Sequence, residues 1–371
     1  GLWNLIKRRR KAPLFYYLSS TGSHRSAEID PLLQQLKINI RELITVIDPE
    51  LLITVMERHT FCYFHGALNY FHSARKMFQL LQPDLVICSA DCHENFTLAA
   101  QAAKQERVKT AILQHGLYGW GSAETKSGRF QLFEHGLAFG QVDVDNYIRE
   151  GIPKEKIVIT SFPYFEMFLP LKENNTGRKY RKALLLSPDL INICPAEKIG
   201  AEYRFYEETC KLLNEMDIEI IGIKSRHLFN FKNLGLIKDR LEINGKAIPL
   251  LGEFSSFADV VKDADFVIGP GSTCLIETPL LGKDYYYYHH TAFHEFSLSI
   301  RPAIFDYINL SNTMEQLREN ILKKQPYRQG CSLQDIVDLE GVKTKEDLYN
   351  KFESGIQAVL ENIESSQNIS T

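Results

Sequence analysis

Short apolar segments separated by stretches of helical spacing recur along most of the chain, and this alternation limits the fold more than any other feature. In the first half the apolar segments are residues 14–18, 85–88, 110–113, 136–139 and 157–160. Helical spacing occupies residues 67–81, 95–105 and 144–150. Strands that are apolar throughout and alternate with helices predict a parallel sheet that is covered on both faces.

A polar and charged segment, residues 172–182, interrupts this alternation and predicts an interdomain linker. Beyond it the pattern restarts, with apolar segments at residues 183–186, 218–223, 248–251, 266–268 and 285–288. Pro249 predicts an edge strand for its segment, because proline cannot donate a ladder hydrogen bond. At roughly 100–200 residues per domain, a chain of 371 residues is expected to form two domains.

The fold class predicted from this pattern is α/β, with two Rossmann-like, doubly wound parallel-sheet domains that face a central cleft. We expect an N-terminal domain over residues 1–172 and a C-terminal domain over residues 173–344. A C-terminal helix over residues 345–371 is expected to pack back on the N-terminal domain.

Composition narrows the class of partner. Hydrophobic residues make up 44% of the chain and charged residues 24%, as in globular proteins, and a net charge of −3 argues against nucleic acid as a partner.

The seven cysteines show neither CxxC pairs nor Cys/His metal spacing, which favours a reducing, cytoplasmic compartment. No apolar run reaches the roughly 18 residues of a membrane span, and no secretory signal is recognisable at the start. The run Lys7-Arg8-Arg9-Arg10-Lys11 predicts a solvated terminus or, alternatively, a peripheral contact with the inner face of the cytoplasmic membrane.

A glycine-rich turn follows the apolar residues 266–268 and precedes a helix. Exposed backbone N–H groups and the helix dipole make such a turn an anion site, and Gly271 lets the backbone come close to a ligand. Ser272 and Thr273 add hydroxyl donors for a phosphate, and Glu277, one turn later, offers acceptors for ribose hydroxyls. The alternative is an ordinary helix cap formed by Ser272 or Thr273. The turn matches neither the Walker loop nor the dinucleotide fingerprint.

Two loops of the first half are candidates for the acceptor side. Gln114, His115 and Gly116 follow the apolar residues 110–113, and a histidine has a pKa suited to general base work on an acceptor hydroxyl. The alternative is a structural histidine that bonds a loop carbonyl. Ser20 and Gly22 belong to the small, polar turn that follows residues 14–18.

Charged residues follow two further strands. Lys224, Arg226 and His227 come after residues 218–223 and are suited to a diphosphate or a carboxylate, unless they form a solvated basic turn. Asp91 and Glu94 follow the segment that ends at Cys88 and are candidate carboxylate nucleophiles.

Two further polar pairs favour structural roles. Asp143 and Asp145 have the spacing of a Mg²⁺-binding pair, but they open a helix, where acidic residues are favoured as caps. His289 and His290 end an aromatic strand, for which core packing is expected. The sequence therefore predicts no metal site.

These loops, in this order on two α/β halves, resemble the GT-B class of glycosyltransferases, and within it enzymes of bacterial capsule and lipopolysaccharide biosynthesis. Gln114-His115-Gly116 resembles the His-Gly loop of the CDP-glycerol glycerophosphotransferases. Gly271-Ser272-Thr273 with Glu277 resembles the nucleotide turn of the CMP-Kdo and sialic acid transferases. Lys224-Ser225-Arg226-His227 resembles the usual Lys-Pro-His-Pro loop only in part, because both prolines are missing. The resemblance covers roughly residues 80 to 300.

The resemblance implies a GT-B-like enzyme that moves a sugar from a nucleotide-activated donor to a glycan or lipid-linked acceptor without a bound metal or other cofactor. The second half would hold the nucleotide, with the phosphate at Ser272 and Thr273, the ribose at Glu277 and the donor's charge at the cations near residue 224. His115 would face the acceptor or the anomeric centre. A CMP-linked ulosonic acid such as Kdo is the preferred donor, because the cations suit a carboxylate-bearing sugar. The alternatives are a CDP-glycerol-type polyol-phosphate transferase, a nucleotide-sugar 2-epimerase and a non-catalytic subunit that binds glycan or nucleotide.

His115→Ala tests the catalytic assignment. General acid–base catalysis contributes about 10²–10⁴-fold, so we expect a loss of turnover of that order, measured with the donor that the protein accepts. Full turnover by the variant would show that His115 is not the catalytic base.

Overall fold

The structure is a computed structural model that describes residues 15–18, 60–88, 94–113, 133–149, 151–169, 179–187, 199–225, 240–251, 256–271, 273–290 and 302–368. Contacts divide the described chain into two compact units. The first unit contains the described residues up to 167 together with those from 337 onward, and the second unit contains those from 168 to 336. No helix among the described residues is long and apolar enough to cross a membrane.

The first unit is built on a sheet whose described strands are all parallel and follow one another in chain order. These strands are β1 (Phe15–Leu18), β2 (Leu85–Cys88), β3 (Lys109–Leu113), β4 (His135–Ala138) and β5 (Ile157–Ile159). The helices α1 (Thr60–Leu81), α2 (Glu94–Gln105) and α3 (Gln141–Arg149) lie between them in the chain, with short 3₁₀ turns at Lys154–Lys156 and Pro163–Phe168. Every residue of β2 and β4 is buried, as expected for strands covered on both faces.

Helix α2 packs closely because its inner face is made of alanine. Ala99, Ala100, Ala102 and Ala103 are fully buried, and they join one core with Phe78 of α1 and the strands β2 and β3. Alanine loses no side-chain entropy in a helix, so this face combines high helix propensity with a close approach.

The second unit has a six-stranded sheet in the order β11-β10-β6-β7-β9-β8, in which all pairs are parallel except β8 with β9. Its strands are β6 (Lys182–Leu186), β7 (Glu219–Lys224), β8 (Arg240–Ile243), β9 (Lys246–Leu251), β10 (Phe266–Gly269) and β11 (Asp284–Tyr287). Its helices are α4 (Ile199–Glu215), α5 (Phe257–Lys262), α6 (Cys274–Leu280), α7 (Met314–Lys323) and α8 (Leu333–Ile336), with a 3₁₀ turn at Pro302–Asp306. This strand order is that of a doubly wound sheet with one added hairpin.

The prediction of an edge position from Pro249 is wrong. Strand β9 lies between β7 and β8, and Pro249 is opposite Arg240 in the antiparallel pair. The parallel pairing of β9 with β7 begins only at Leu250, so the missing N–H of Pro249 is not needed there. Asn244 and Gly245 turn the β8–β9 hairpin with φ values of 51° and 72°, the left-handed conformation that a tight hairpin requires.

The last described helix, α9 (Lys345–Asn368), belongs to the first unit and packs against the end of β5. The Ser161 hydroxyl donates to the Leu348 carbonyl at 2.7 Å, and the Thr160 hydroxyl donates to the Lys351 carbonyl at 3.1 Å. A Cβ atom on Gly355 would lie 2.5 Å from Thr160 Oγ1 and 2.6 Å from Thr160 Cβ. Glycine at position 355 therefore allows the helix to approach the strand end.

Gly355→Ala should destabilise the protein although alanine is the better helix former. The helix preference of alanine is worth about 1 kcal/mol, whereas overpacking a buried contact costs about 1–3 kcal/mol, and the clash with the Thr160 Cβ cannot be relieved by rotating a side chain. Ser354→Ala, at the exposed neighbouring position of the same helix, is the control and should be nearly neutral. Urea denaturation measures both, and a Gly355→Ala variant more stable than wild type would refute the packing constraint.

Candidate functional site

The second sheet has a switch point between β6 and β10. From β6 the chain moves outward through β7 and β9, and it then returns to the other side of β6 for β10 and β11. Ligands of doubly wound sheets bind beyond the carboxyl ends of the strands at such a point. We call this place the switch-point crevice and define it by Ser187, which follows β6, and by the turn from Gly269 to Thr273, which follows β10. The sequence-predicted residues Gly271, Thr273 and Glu277 lie on this turn and on the helix that it opens.

Packing against the neighbouring strands fixes the start of this turn. A Cβ atom on Gly269 would lie 2.6 Å from the Tyr285 hydroxyl and 2.9 Å from the Leu186 Cβ, so position 269 has no room for a side chain. The Tyr285 hydroxyl of β11 donates a hydrogen bond to the Pro270 carbonyl. The amide of Tyr288 donates to the Gly269 carbonyl at 3.0 Å. Two side chains of adjacent strands, Leu186 and Tyr285, therefore determine the path of the chain as it enters the turn.

Thr273 begins helix α6 without capping it through its side chain. Its carbonyl accepts from the amides of Ile276 at 2.8 Å and Glu277 at 3.1 Å, while its buried hydroxyl makes no capping hydrogen bond. The Thr273 side chain therefore does not cap the helix, which was the alternative interpretation of this residue. Helix α6 has seven residues and contains Pro279, so an anion at this turn would depend on the N–H groups and hydroxyls of the turn itself.

Glu277 brings a buried carboxylate to the same place. It lies on the first turns of α6, and the Cys274 thiol donates to its Oε2 at 3.6 Å. A carboxylate offers acceptors only, whereas backbone N–H groups and the Thr273 hydroxyl of the preceding turn can donate, so the two together are chemically suited to a group that carries both phosphate and hydroxyls. Cys274 is a neighbour of Glu277 that the sequence pattern did not single out.

Lys224 lies at the same carboxyl edge, at the end of the adjacent strand β7. Its Nζ donates to the Ser225 carbonyl at 3.1 Å, and its own carbonyl accepts from the Ser187 amide at 2.9 Å. The ends of β6 and β7 are thereby tied together beside the switch-point crevice. Lys224 is half-buried, so its charge is partly shielded from water.

A buried carboxylate that the sequence analysis missed stands next to the end of β6. Glu202, on the first turns of α4, is fully buried. Its Oε1 accepts from the Ser187 hydroxyl at 2.7 Å and from the Tyr206 hydroxyl at 2.5 Å. The available signal was periodicity, because Glu202 shares a helix face with the buried residues Phe205, Tyr206 and Thr209.

His290 follows β11 at this edge and is a packed core residue, as the sequence pattern favoured. It is buried against the rings of Phe205 and Tyr288, and its Nε2 lies 3.3 Å from Glu208 Oε2. Burial lowers the pKa of His290, which favours the neutral imidazole.

Many predicted site residues lie outside the described part of the chain, and their roles stay predictions. They are Ser20, Gly22, Asp91, Gln114, His115, Gly116, Arg226, His227 and Ser272, together with the basic run at residues 7–11. Glu94 is the first residue of α2.

The Asp143 carboxylate accepts from the Phe139 amide at 2.8 Å, which is the local role expected of an acidic residue that opens a helix. Within the described ranges no group of three or more His, Cys, Asp or Glu side chains is arranged to hold a metal ion.

Comparison with known proteins identifies the fold. No protein-family model and no curated sequence matches the chain. A Listeria monocytogenes protein described as a UDP-N-acetylglucosamine 2-epimerase superimposes with a TM-score of 0.56 at 13% identity, over 95% of this chain and 97% of that one. The UDP-GlcNAc 2-epimerase of Methanocaldococcus jannaschii, in complex with UDP-GlcNAc and UDP, gives a TM-score of 0.52 at 13% identity over 92% and 99%. MurG of Acinetobacter baumannii gives a TM-score of 0.50 at 12% identity over 95% and 99%.

Identities this low establish the fold alone. Two parallel-sheet α/β units that match these proteins over nearly their whole length have a GT-B-like fold, which confirms the predicted fold class.

Tyr285→Phe tests whether the Tyr285 hydroxyl fixes the turn. The variant keeps the ring and removes the donor to the Pro270 carbonyl, so we expect the free energy of unfolding to fall by about 1 kcal/mol. Tyr203→Phe, at an exposed position of α4, is the matched control and should change stability by less than about 0.5 kcal/mol. Urea denaturation measures the stability of both variants. Equal stability of Tyr285→Phe and wild type would show that the Tyr285 hydroxyl does not stabilise the turn.

Proposed function

We propose that the chain is a glycosyltransferase that binds a nucleotide-activated sugar and holds its nucleotide at the switch-point crevice of the second unit. The observation that carries the proposal is the glycine turn after β10, which stands beside the end of β6 at the switch point of a doubly wound sheet. The GT-B-like fold supports it, because the similar solved structures include proteins described as UDP-GlcNAc 2-epimerases, one of them in complex with UDP-GlcNAc and UDP.

In this proposal the second unit binds the donor and stabilises the departing nucleotide. The turn, with Ser272 and Thr273, holds phosphate, and Glu277 accepts from the ribose hydroxyls. Lys224, with Arg226 and His227, offsets the negative charge that builds on the leaving phosphate oxygen.

The first unit supplies the acceptor chemistry in the same proposal. An acceptor hydroxyl oxygen bonds to the anomeric carbon as the bond from that carbon to the phosphate oxygen breaks. His115 takes the proton of the hydroxyl, and the electron pair of the broken bond leaves with the nucleotide. The proposal assigns these tasks to side chains and to no bound metal or organic cofactor.

Two classes of nucleotide-activated sugar are compatible with the proposal. UDP-linked N-acetylhexosamines are favoured by analogy with the epimerase that was solved with UDP-GlcNAc and UDP. A CMP-linked ulosonic acid is favoured by the cations that follow β7, because such a sugar carries a carboxylate.

A nucleotide-sugar 2-epimerase is the second candidate function. It is favoured by the fold likeness to two proteins described as UDP-GlcNAc 2-epimerases. An epimerase converts its nucleotide sugar in the absence of acceptor, whereas a transferase needs an acceptor hydroxyl for efficient turnover. Product analysis of each nucleotide sugar with and without added glycan therefore separates the two functions.

Nucleotide binding is tested by thermal shift with UDP, CMP, CDP and GDP. A ligand at 100 times its Kd stabilises the native state by about 2.7 kcal/mol, so a selective rise in Tm identifies the preferred nucleotide among the four. If none of the four nucleotides raises Tm or binds by calorimetry, the proposed function is wrong.

Glu277→Gln tests the ribose contact. Hydrogen bonds to a charged group contribute about 1.5–3 kcal/mol, so we expect the affinity for the selected nucleotide to fall at least tenfold. The 2′,3′-dideoxy form of that nucleotide should bind wild type and variant equally, because it lacks the hydroxyls that Glu277 is proposed to bind. Glu242→Gln, at an exposed position of β8, is the control. An equal loss for both nucleotide forms would mean that Glu277 acts on the fold and not on the ribose.

A further inference from the structure

The second unit has a cavity of about 580 Å³ at the amino-terminal edge of its sheet, at the opposite end of the strands from the switch-point crevice. Its lining comes from the starts of β6 and β7, the β8–β9 hairpin and the last turns of α4. Small-molecule sites have volumes of roughly 300–1,000 Å³, so this amino-edge cavity is of sufficient size for one. None of the described residues assigned to the nucleotide lines it.

The inner wall of the amino-edge cavity is apolar. Ile218, Ile243 and Ile248 are buried residues of the second unit's core, and Cys210 of α4 is buried beside them. Burial raises the pKa of the Cys210 thiol to about 12, so the thiol is neutral and behaves as part of the apolar wall. Such a wall suits an aliphatic or aromatic body.

Two cationic side chains at the rim of the same cavity have no hydrogen-bond or ion-pair partner among the described residues. Lys179 and Arg181 are exposed, and neither side chain makes a hydrogen bond or an ion pair with another residue of the described chain. The third cation of the lining, Lys246, donates to the Asn214 side chain.

Two carboxylates also belong to the lining, Asp217 and Glu219. Glu219 lies 3.9 Å from Lys182, a cation outside the lining, so part of its charge is offset there. The three cations of the lining thus outnumber its carboxylates, and Lys179 and Arg181 are the cations left for a ligand.

We propose that the amino-edge cavity binds a small amphipathic anion, with its apolar body on the isoleucine wall and its carboxylate or phosphate group at Lys179 and Arg181. Arginine matches the planar fork of a carboxylate or the oxygens of a phosphate, and lysine adds a point charge. This site does not depend on the proposed nucleotide function, because the two sites lie at opposite edges of the sheet.

Calorimetry with three octyl compounds below their micelle concentrations tests the proposal. Octanoate and octyl phosphate carry the two anionic groups, and octyl glucoside has the same chain without a charge. We expect one anion per chain, bound at least tenfold more tightly than octyl glucoside and less tightly at high salt. The stronger of the two anions identifies the head group.

Charge reversal locates the binding. Lys179→Glu combined with Arg181→Glu should weaken anion binding at least tenfold, and both positions are exposed and unpaired, so folding should be retained. Arg204→Glu combined with Lys211→Glu, at two exposed positions of α4 outside the lining, reverses the same number of charges and should bind as wild type.

Several outcomes overturn the proposal. These are no binding of either anion at millimolar concentration, unchanged binding by the charge-reversed variant, equal binding of octyl glucoside, and displacement of the anion by the nucleotide that the crevice selects. If no nucleotide binds but the anion binds and the variants behave as expected, the proposed function is wrong, whereas the proposed anion site in the amino-edge cavity is supported.

Discussion

The sheet of the second unit must be covered on both faces, and the positions of its described strand ends and helices follow from this requirement. Strands β6, β7, β9, β10 and β11 are parallel, so the chain has to return from the carboxyl edge to the amino edge between each of them and the next. Helices such as α4, α5 and α6 make these returns and cover the faces. Each of these parallel strands therefore ends at the same edge, and the chain continues in opposite directions across the sheet from the neighbours β6 and β10, which is where doubly wound sheets bind ligands.

Close packing at this edge is compatible with binding. Gly269 has no room for a Cβ atom because Leu186 and Tyr285 lie against it, and Tyr285 also holds the Pro270 carbonyl. A turn fixed by its neighbours in this way loses little conformational freedom when a ligand arrives, and that lowers the free-energy cost of binding. The packing that requires glycine at position 269 thus also pre-organises the donors proposed for phosphate.

The local sequence pattern was sufficient to predict strands that are apolar on both faces. It was insufficient to predict hydrogen bonds between residues that are distant in sequence. Leu85–Cys88 has the same bounds in the prediction and in the structure, because four apolar residues after a proline admit few alternatives. Strand Arg240–Ile243 was missed because it is short and half-polar, although Asn244-Gly245 is a strong hairpin signal. Glu202 was missed because an acidic residue in a first turn normally serves the helix dipole, and its partner Ser187 lies 15 residues earlier. The glycine turn was predicted because its glycines and hydroxyl residues stand between an apolar strand and a helix in the local sequence, whereas the contacts with Leu186 and Tyr285 that fix its path were not visible there.

The distribution of buried polar groups separates the two edges of the second sheet. Buried polar side chains at its carboxyl edge include Ser187, Ser225, Thr273, Glu277 and His290. Burial of such groups costs free energy unless each is hydrogen-bonded. At the amino edge the wall of the cavity is instead built from buried isoleucines. Proteins depart from apolar burial mainly at functional sites, so this asymmetry favours the carboxyl edge as the functional edge of the unit.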